Sequence, residues 1–294
     1  MSTPASARVL PTAPSGAALA LLTLLALGAF AANSLLARAA IGPGPDGSAA
    51  IGAGAFTALR LASGALVLLP WWWRARRHDG RAGATGAAWL VAYAVPFALA
   101  YVWLGAATGA LLLFGAVQLT MLLAGQRAGE RLGWRGSVGV ALALVGLVVL
   151  LGPGATAPAL LPALAMIGAG VAWGAYSLAG RRERDPVWAT ARNFVWATPA
   201  AALLALWPGV WQGATPAGVA LALASGALTS GLGYLLWYRA LPGLTRTAAA
   251  VVQLAVPVVA ALGAVALLAE ELAARLVLAS VLVLGGVALA LLRR

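Results

Sequence analysis

The chain has 294 residues, of which 63% are hydrophobic and 9% are charged. An average soluble domain carries roughly 25% charged residues, so the composition excludes a water-soluble globule, and the apolar runs leave no room for a separate soluble domain. The net charge of +12 rests on arginines in short loops between those runs; membrane topology accounts for them, and a nucleic-acid partner is excluded. Cysteine is absent, which removes disulfides, thiol chemistry and cysteine metal sites.

Ten apolar runs follow in chain order, over 17–39, 49–73, 84–103, 106–127, 134–151, 158–180, 187–207, 215–240, 246–269 and 274–292. Runs of this kind cross a hydrocarbon core of about 30 Å, and lipid forces their backbones into helices. The first, which carries Asn33, follows Arg8 and loosely resembles a signal peptide. It is longer than a usual h-region and has a counterpart later in the chain, so it reads as a retained helix behind a cytoplasmic tail over 1–16.

The second run holds Arg60, which either snorkels outward or faces a cavity and attracts an anionic group; the structural role is favoured. The third carries Trp89, Tyr93, Phe97 and Tyr101 at spacing four, an aromatic stripe on one helix face, interrupted by Pro96. The fourth carries Gln118. The sixth carries Trp173, Tyr176 and Ser177, the seventh Pro199, the eighth Tyr234, Trp237 and Tyr238, and the ninth Gln253 and Pro257. Gly139, Gly146, Gly285 and Gly286 in the fifth and tenth are placed to allow close helix packing.

With the N-terminus in the cytoplasm, all arginines except Arg38, Arg60 and Arg275 fall on the inner side, Arg192 among them. That asymmetry obeys the positive-inside rule and requires an even number of spans, with both termini cytoplasmic in a bacterial inner membrane. Most of the 12 tryptophans, Trp237 included, fall near span ends as interfacial anchors, leaving only Trp173 and Trp196 well inside a span.

The chain also repeats itself. Phe30, Asn33, Ser34 and Arg38 are answered by Trp173, Tyr176, Ser177 and Arg181; Glu130, Leu132, Arg135 and Gly146 are answered by Glu270, Leu272, Arg275 and Gly286. The repeats cover 17–152 and 153–294. Five spans per repeat is odd, so the second copy enters the membrane from the opposite side. The expected fold is therefore an all-α membrane protein, ten transmembrane helices in two inverted five-helix repeats. That construction is usual in secondary transporters and points to transport rather than to a channel or scaffold.

The Gly-Glu-Arg-Leu turn over Gly129–Leu132, the Trp173-Gly174 pair and Pro257 thirteen residues before Glu270, set in ten helices, resemble the EamA-type drug/metabolite transporters along 17–292. Val117 stands where the repeat would place a proline, so the fourth helix is expected to be straighter than the ninth. Within that family the chain looks most like the bacterial aromatic amino-acid exporters. The resemblance implies export of a small solute, with aromatic or bulky apolar amino acids preferred and another metabolite or drug as the alternative.

Polar residues inside a membrane are costly and are functional candidates by default. The expected substrate-binding set is Asn33, Tyr93, Tyr101, Gln118, Trp173, Tyr176, Ser177, Tyr234 and Gln253, with Pro96 and Pro257 as hinges. Each amide equally suits helix-to-helix bonding, and each aromatic suits packing. All acids and His78 sit at or near helix ends, which argues against a buried proton relay. No P-loop, nucleotide fingerprint or metal-ligand cluster is present, so no cofactor and no enzymatic chemistry are expected. The expected partners are the solute and the bilayer, around a monomer.

Overall fold

The computed structural model describes residues 16–44, 47–74, 84–127, 133–151, 157–181, 183, 185–244 and 246–291. These form ten helices: α1 (Gly16–Ile41), α2 (Ala53–Arg74), α3 (Thr85–Tyr101), α4 (Ala106–Arg127), α5 (Trp134–Leu151), α6 (Leu160–Gly180) and α7 (Pro186–Ala205) come first. Then come α8, in three consecutive stretches (Pro216–Ala224, π-helical Ser225–Leu232 and Gly233–Ala240), α9 in two (Arg246–Gln253 and Ala255–Leu268) and α10 (Ala274–Leu291). Every expected span has its helix. The largest shift is at α2, which starts at Ala53 because the preceding turn folds back on α1, with the Ile51 N–H bonded to the Ala40 carbonyl at 3.0 Å.

Local chemistry sets the ends. Asp185 accepts from the N–H groups of Val187 and Trp188 at 3.1 and 3.0 Å, with Pro186 at the first helical position. Thr215 does the same for Gly218 at 3.1 Å, ahead of Pro216. A capping oxygen followed by proline is a strong helix start, since proline's missing N–H costs nothing there.

Five segments, Gly16–Ile41, Ala53–Trp73, Ala106–Arg127, Leu160–Gly180 and Pro216–Gly243, are long and apolar enough to cross a bilayer alone. The outward residues of these and the other helices are apolar too: Leu21, Leu66, Leu99, Leu161, Leu203 and Leu262 are each more than half exposed. In water such a surface would aggregate; in hydrocarbon it is the solvent-facing side of the fold.

The two repeats interleave. α2 packs on α7, α5 on α10, α6 on α3 and α4, and α1 on α8 and α9. Exchanging the five helices of one half for those of the other reproduces this set of pairs, as inverted repeats require. The boundary at 152/153, the Gly-Glu-Arg-Leu turn and the loop with His78 lie outside the described residues.

Small residues decide the close crossings. A Cβ on Gly286 would meet the Gly139 carbonyl at 2.5 Å, and one on Gly146 would meet Val283 N at 2.9 Å, so α5 and α10 touch backbone to backbone. Gly285 faces open space and has no part in this contact. Where α2 crosses α8, a Cβ on Gly226 would overlap Ser63 Oγ and the Arg60 carbonyl.

Pro96 and Pro199 sit in unbroken helices, whereas α9 breaks at Leu254, just before Pro257. Proline offers no N–H to the carbonyl four residues earlier, here Gln253, which frees that carbonyl and interrupts the helix. α4, with Val117 in the corresponding place, runs unbroken.

One tryptophan expectation is corrected. Trp237 is fully buried and donates to Ser177 Oγ at 3.3 Å, so it belongs to the core rather than to an interfacial belt. Trp196 lies inside α7, as expected, and is 42% exposed. Arg192 is buried in α7, with Glu183 as its counter-ion.

Candidate functional site

A pocket lies where α1, α3, α4, α6 and α8 meet, walled by Phe30, Ser34, Tyr93, Phe97, Leu113, Phe114, Trp173 and Tyr234. Its free volume is about 10 Å³, room for about one water and far below the roughly 300–1,000 Å³ of drug-sized sites. No wall residue is more than 4% exposed, so this state is closed on every side.

The aromatic residues arrive by helical spacing. Tyr93 and Phe97 are one turn apart on α3, with ring centroids 5.1 Å apart. Trp173 is the centre of the cluster, with centroids 4.5 Å from Tyr234, 5.1 Å from Tyr93, 5.2 Å from Phe30 and 5.3 Å from Tyr176. Its indole N–H donates to Gln253 Oε1 at 3.2 Å, and Gln253 Nε2 donates to the Ala249 carbonyl at 2.9 Å, just before the α9 break.

Behind this wall lies Arg60, 1% exposed. Its Nε donates to Ser230 Oγ at 2.8 Å, and its Nη2 donates to the hydroxyls of Tyr93 at 2.9 Å and Tyr234 at 2.6 Å. Its guanidinium carbon lies 4.7 Å from the Phe97 ring centroid and 5.1 Å from that of Tyr93. Nη1 has no partner, and no carboxylate is among the contacts. Placing arginine at mid-membrane costs about 2.5–3.5 kcal/mol on insertion scales. Hydrogen bonds to a charged group contribute about 1.5–3 kcal/mol each, and cation–π contacts about 0.5–2 kcal/mol. Neutral partners can therefore hold the cation in place, and they leave its charge uncancelled.

The α2–α8 crossing explains why Arg60 reaches this point. With only glycine at 226, the α2 backbone approaches the π-helical stretch of α8 directly. The wider turns of that stretch bring Ser225 and Thr229 onto Asn33 Oδ1 at 2.8 and 3.1 Å. Asn33 Nδ2 in turn donates to Tyr93 at 3.2 Å. π-helical turns recur at functional sites.

Of the expected site residues, Tyr93, Trp173 and Tyr234 line the pocket. Asn33 and Gln253 stand one hydrogen bond behind it. Tyr176 stacks on Trp173, and its hydroxyl has no partner. The structure leaves three away from the pocket walls. Tyr101 packs against Gly109 toward the end of α3, because its hydroxyl lies nearest the Ala106 carbonyl, at 3.5 Å. Gln118 ties α4 to the Ala250 carbonyl of α9 at 2.7 Å, and Ser177 accepts from Trp237. Phe30, Ser34, Phe97, Leu113 and Phe114 complete the walls without having been in the expected set. Arg60, singled out in the sequence as a lone cation within an apolar run, lies one hydrogen bond behind the pocket, on Tyr93 and Tyr234.

The second half, residues 160–292, matches the EamA-like transporter family. An uncharacterized protein of Pseudomonas aeruginosa is 54% identical over 276 residues, spanning 93% of this chain and 94% of that protein. The chain belongs to the EamA-like transporter family. A solved structure titled only "Crystal structure of protein" has the same fold, with a TM-score of 0.64 at 24% identity over 94% of this chain and 97% of the other. The EamA-like transporter is thus a multi-pass membrane protein of the drug/metabolite transporter superfamily.

At one end of the EamA-like bundle an ion pair joins the halves. Arg38 Nε meets Glu270 Oε1 at 3.0 Å. The same carboxylate accepts from Ala106 N, at 3.0 and 2.9 Å, and so caps α4 from the opposite repeat. Ala269 turns the chain with φ 51, a left-handed conformation that costs a non-glycine residue roughly 1–2 kcal/mol. A Cβ on Gly105 would lie 2.8 Å from Glu270 Oε2, so glycine admits the carboxylate.

Proposed function

We propose that the protein is a secondary transporter that exports a compact aromatic or bulky apolar solute, amino acids of that kind included, by alternating access between its two halves. The observation that carries this reading is the closed aromatic pocket centred on Trp173, set where helices of both repeats meet. Such a cavity supplies flat apolar faces and a few polar groups, as solute sites do, and its place between inverted halves is where carriers bind.

The arginine asymmetry supports an inner-membrane orientation with both termini cytoplasmic. In that orientation the Arg38–Glu270 bridge closes the outer end. No enzymatic step belongs to this reading, and one chain carries the complete site. Direction follows from the family resemblance alone.

Uptake of radiolabelled tryptophan, phenylalanine and threonine into liposomes holding the purified protein tests it. Saturable flux of the aromatic solutes above threonine is expected. An absence of saturable flux for all three would remove amino acids from the substrate class. Flux and affinity unchanged in Trp173→Ala would show that the site is elsewhere.

A further inference from the structure

Donors outnumber acceptors around the pocket. The Tyr93 and Tyr234 hydroxyls lie 3.1 Å apart and share one contact, and both accept from Arg60 Nη2. Arg60 Nη1 and Ser34 Oγ, both buried, lack partners, and Ser34, Tyr93 and Tyr234 are pocket walls. The side-chain acceptors nearby are taken: Asn33 Oδ1 by Ser225 and Thr229, and Gln253 Oε1 by Trp173. Among the described residues all acids sit at helix ends, away from this cluster. Arginine stays protonated at any physiological pH, so the empty site is a net cation with spare N–H and O–H groups.

Resting on the proposed transport of aromatic solutes, we infer that the preferred substrate is a small aromatic monoanion, whose carboxylate or similar oxyanion is the missing acceptor for Arg60 Nη1 and Ser34 Oγ. A carboxylate accepts several hydrogen bonds and suits the guanidinium fork. An ammonium group finds the opposite surroundings: a like charge nearby, the Tyr93 and Phe97 rings already facing Arg60, and no carboxylate or amide oxygen among the pocket walls; the unpartnered Gln118 Oε1 lies away from them. A zwitterionic amino acid gains at one end of the molecule and loses at the other.

Four ligands with one ring separate the possibilities: 3-phenylpropionate, phenylalanine, 3-phenylpropionamide and phenethylamine. Binding is followed by quenching of tryptophan fluorescence in the purified full-length protein, and flux is followed in liposomes. Phenylpropionate is expected to bind at least roughly tenfold more tightly than the amide or phenylalanine, with phenethylamine weakest, a gap equal to one charge-assisted contact. Arg60→Gln is expected to weaken the acid at least tenfold more than the amide. Should that variant fail to fold, the wild-type order decides alone. Phenylalanine or the amide matching phenylpropionate overturns the anion inference and leaves aromatic transport standing. Amide flux that requires chloride overturns it as well, by giving the cation to an inorganic co-ion. If none of the four binds, both readings fall.

Discussion

Two buried arginines, on the counterpart helices α2 and α7, are alike in most respects and differ in one. Arg60 and Arg192 are each 1% exposed, each lies over an aromatic ring and each has an unpartnered Nη1. Arg192 has Glu183 Oε1 2.6 Å from its Nη2, close to the start of α7, whereas Arg60 has only hydroxyls and lies behind the pocket. A cation that carries its own counter-ion stabilises one arrangement of the chain. A cation without one leaves a place for charge from outside, so identical burial serves structure in one case and recognition in the other.

Removing each charge should therefore have opposite consequences. Arg60→Gln is expected to lower flux of an aromatic acid by about 100-fold, the equivalent of one or two charge-assisted bonds, without lowering the unfolding temperature in detergent. Retained flux would break the comparison. Glu183→Ala should do the reverse. Stranding a buried cation costs about 3–5 kcal/mol, reduced here to about 1–3 kcal/mol because the Glu183 side chain is 29% exposed. Thermal unfolding should register that loss while flux per folded molecule stays within about twofold of wild type. Equal transport defects in the two variants would erase the distinction.

Smaller effects sharpen the picture around Arg60. Gln253→Leu removes the acceptor of the Trp173 indole, and interhelical bonds in membranes contribute about 0.6–1.7 kcal/mol. An increase in KM of roughly threefold to tenfold is expected, with kcat less affected. Glu270→Gln keeps one acceptor for Ala106 N and loses the charge opposite Arg38. Because both side chains are 17–18% exposed, the expected change is about 0.5 kcal/mol, read as up to a threefold change in exchange rate. No change at all would mean that this bridge does not restrain the closed state.

The helices were legible because lipid leaves a spanning segment no alternative to satisfying its own backbone, and the repeats were legible because Asn33, Arg38 and Glu270 had partners at constant offsets. Tyr93, Trp173 and Tyr234, on three different helices, were legible as candidates because each is an aromatic group with a polar atom inside an apolar run, and all three line the pocket. The surroundings of Arg60 were not legible, because three hydroxyls and two rings gathered from other helices leave no mark in the local sequence. Tyr101 and Gln118 are polar groups within apolar helices that meet backbone carbonyls, and neither lines the pocket.

At Gly226 the backbones of α2 and α8 meet with no layer of side chains between them. Side chains at an interface can slide and repack; bare backbone ridges interlock. Arg60 is thereby tied to α8, in the other half of the chain, so that under the proposed alternating access a tilt of α8 would carry the positive charge with it. The seam at which the chain duplicates itself would then not be the seam along which it moves.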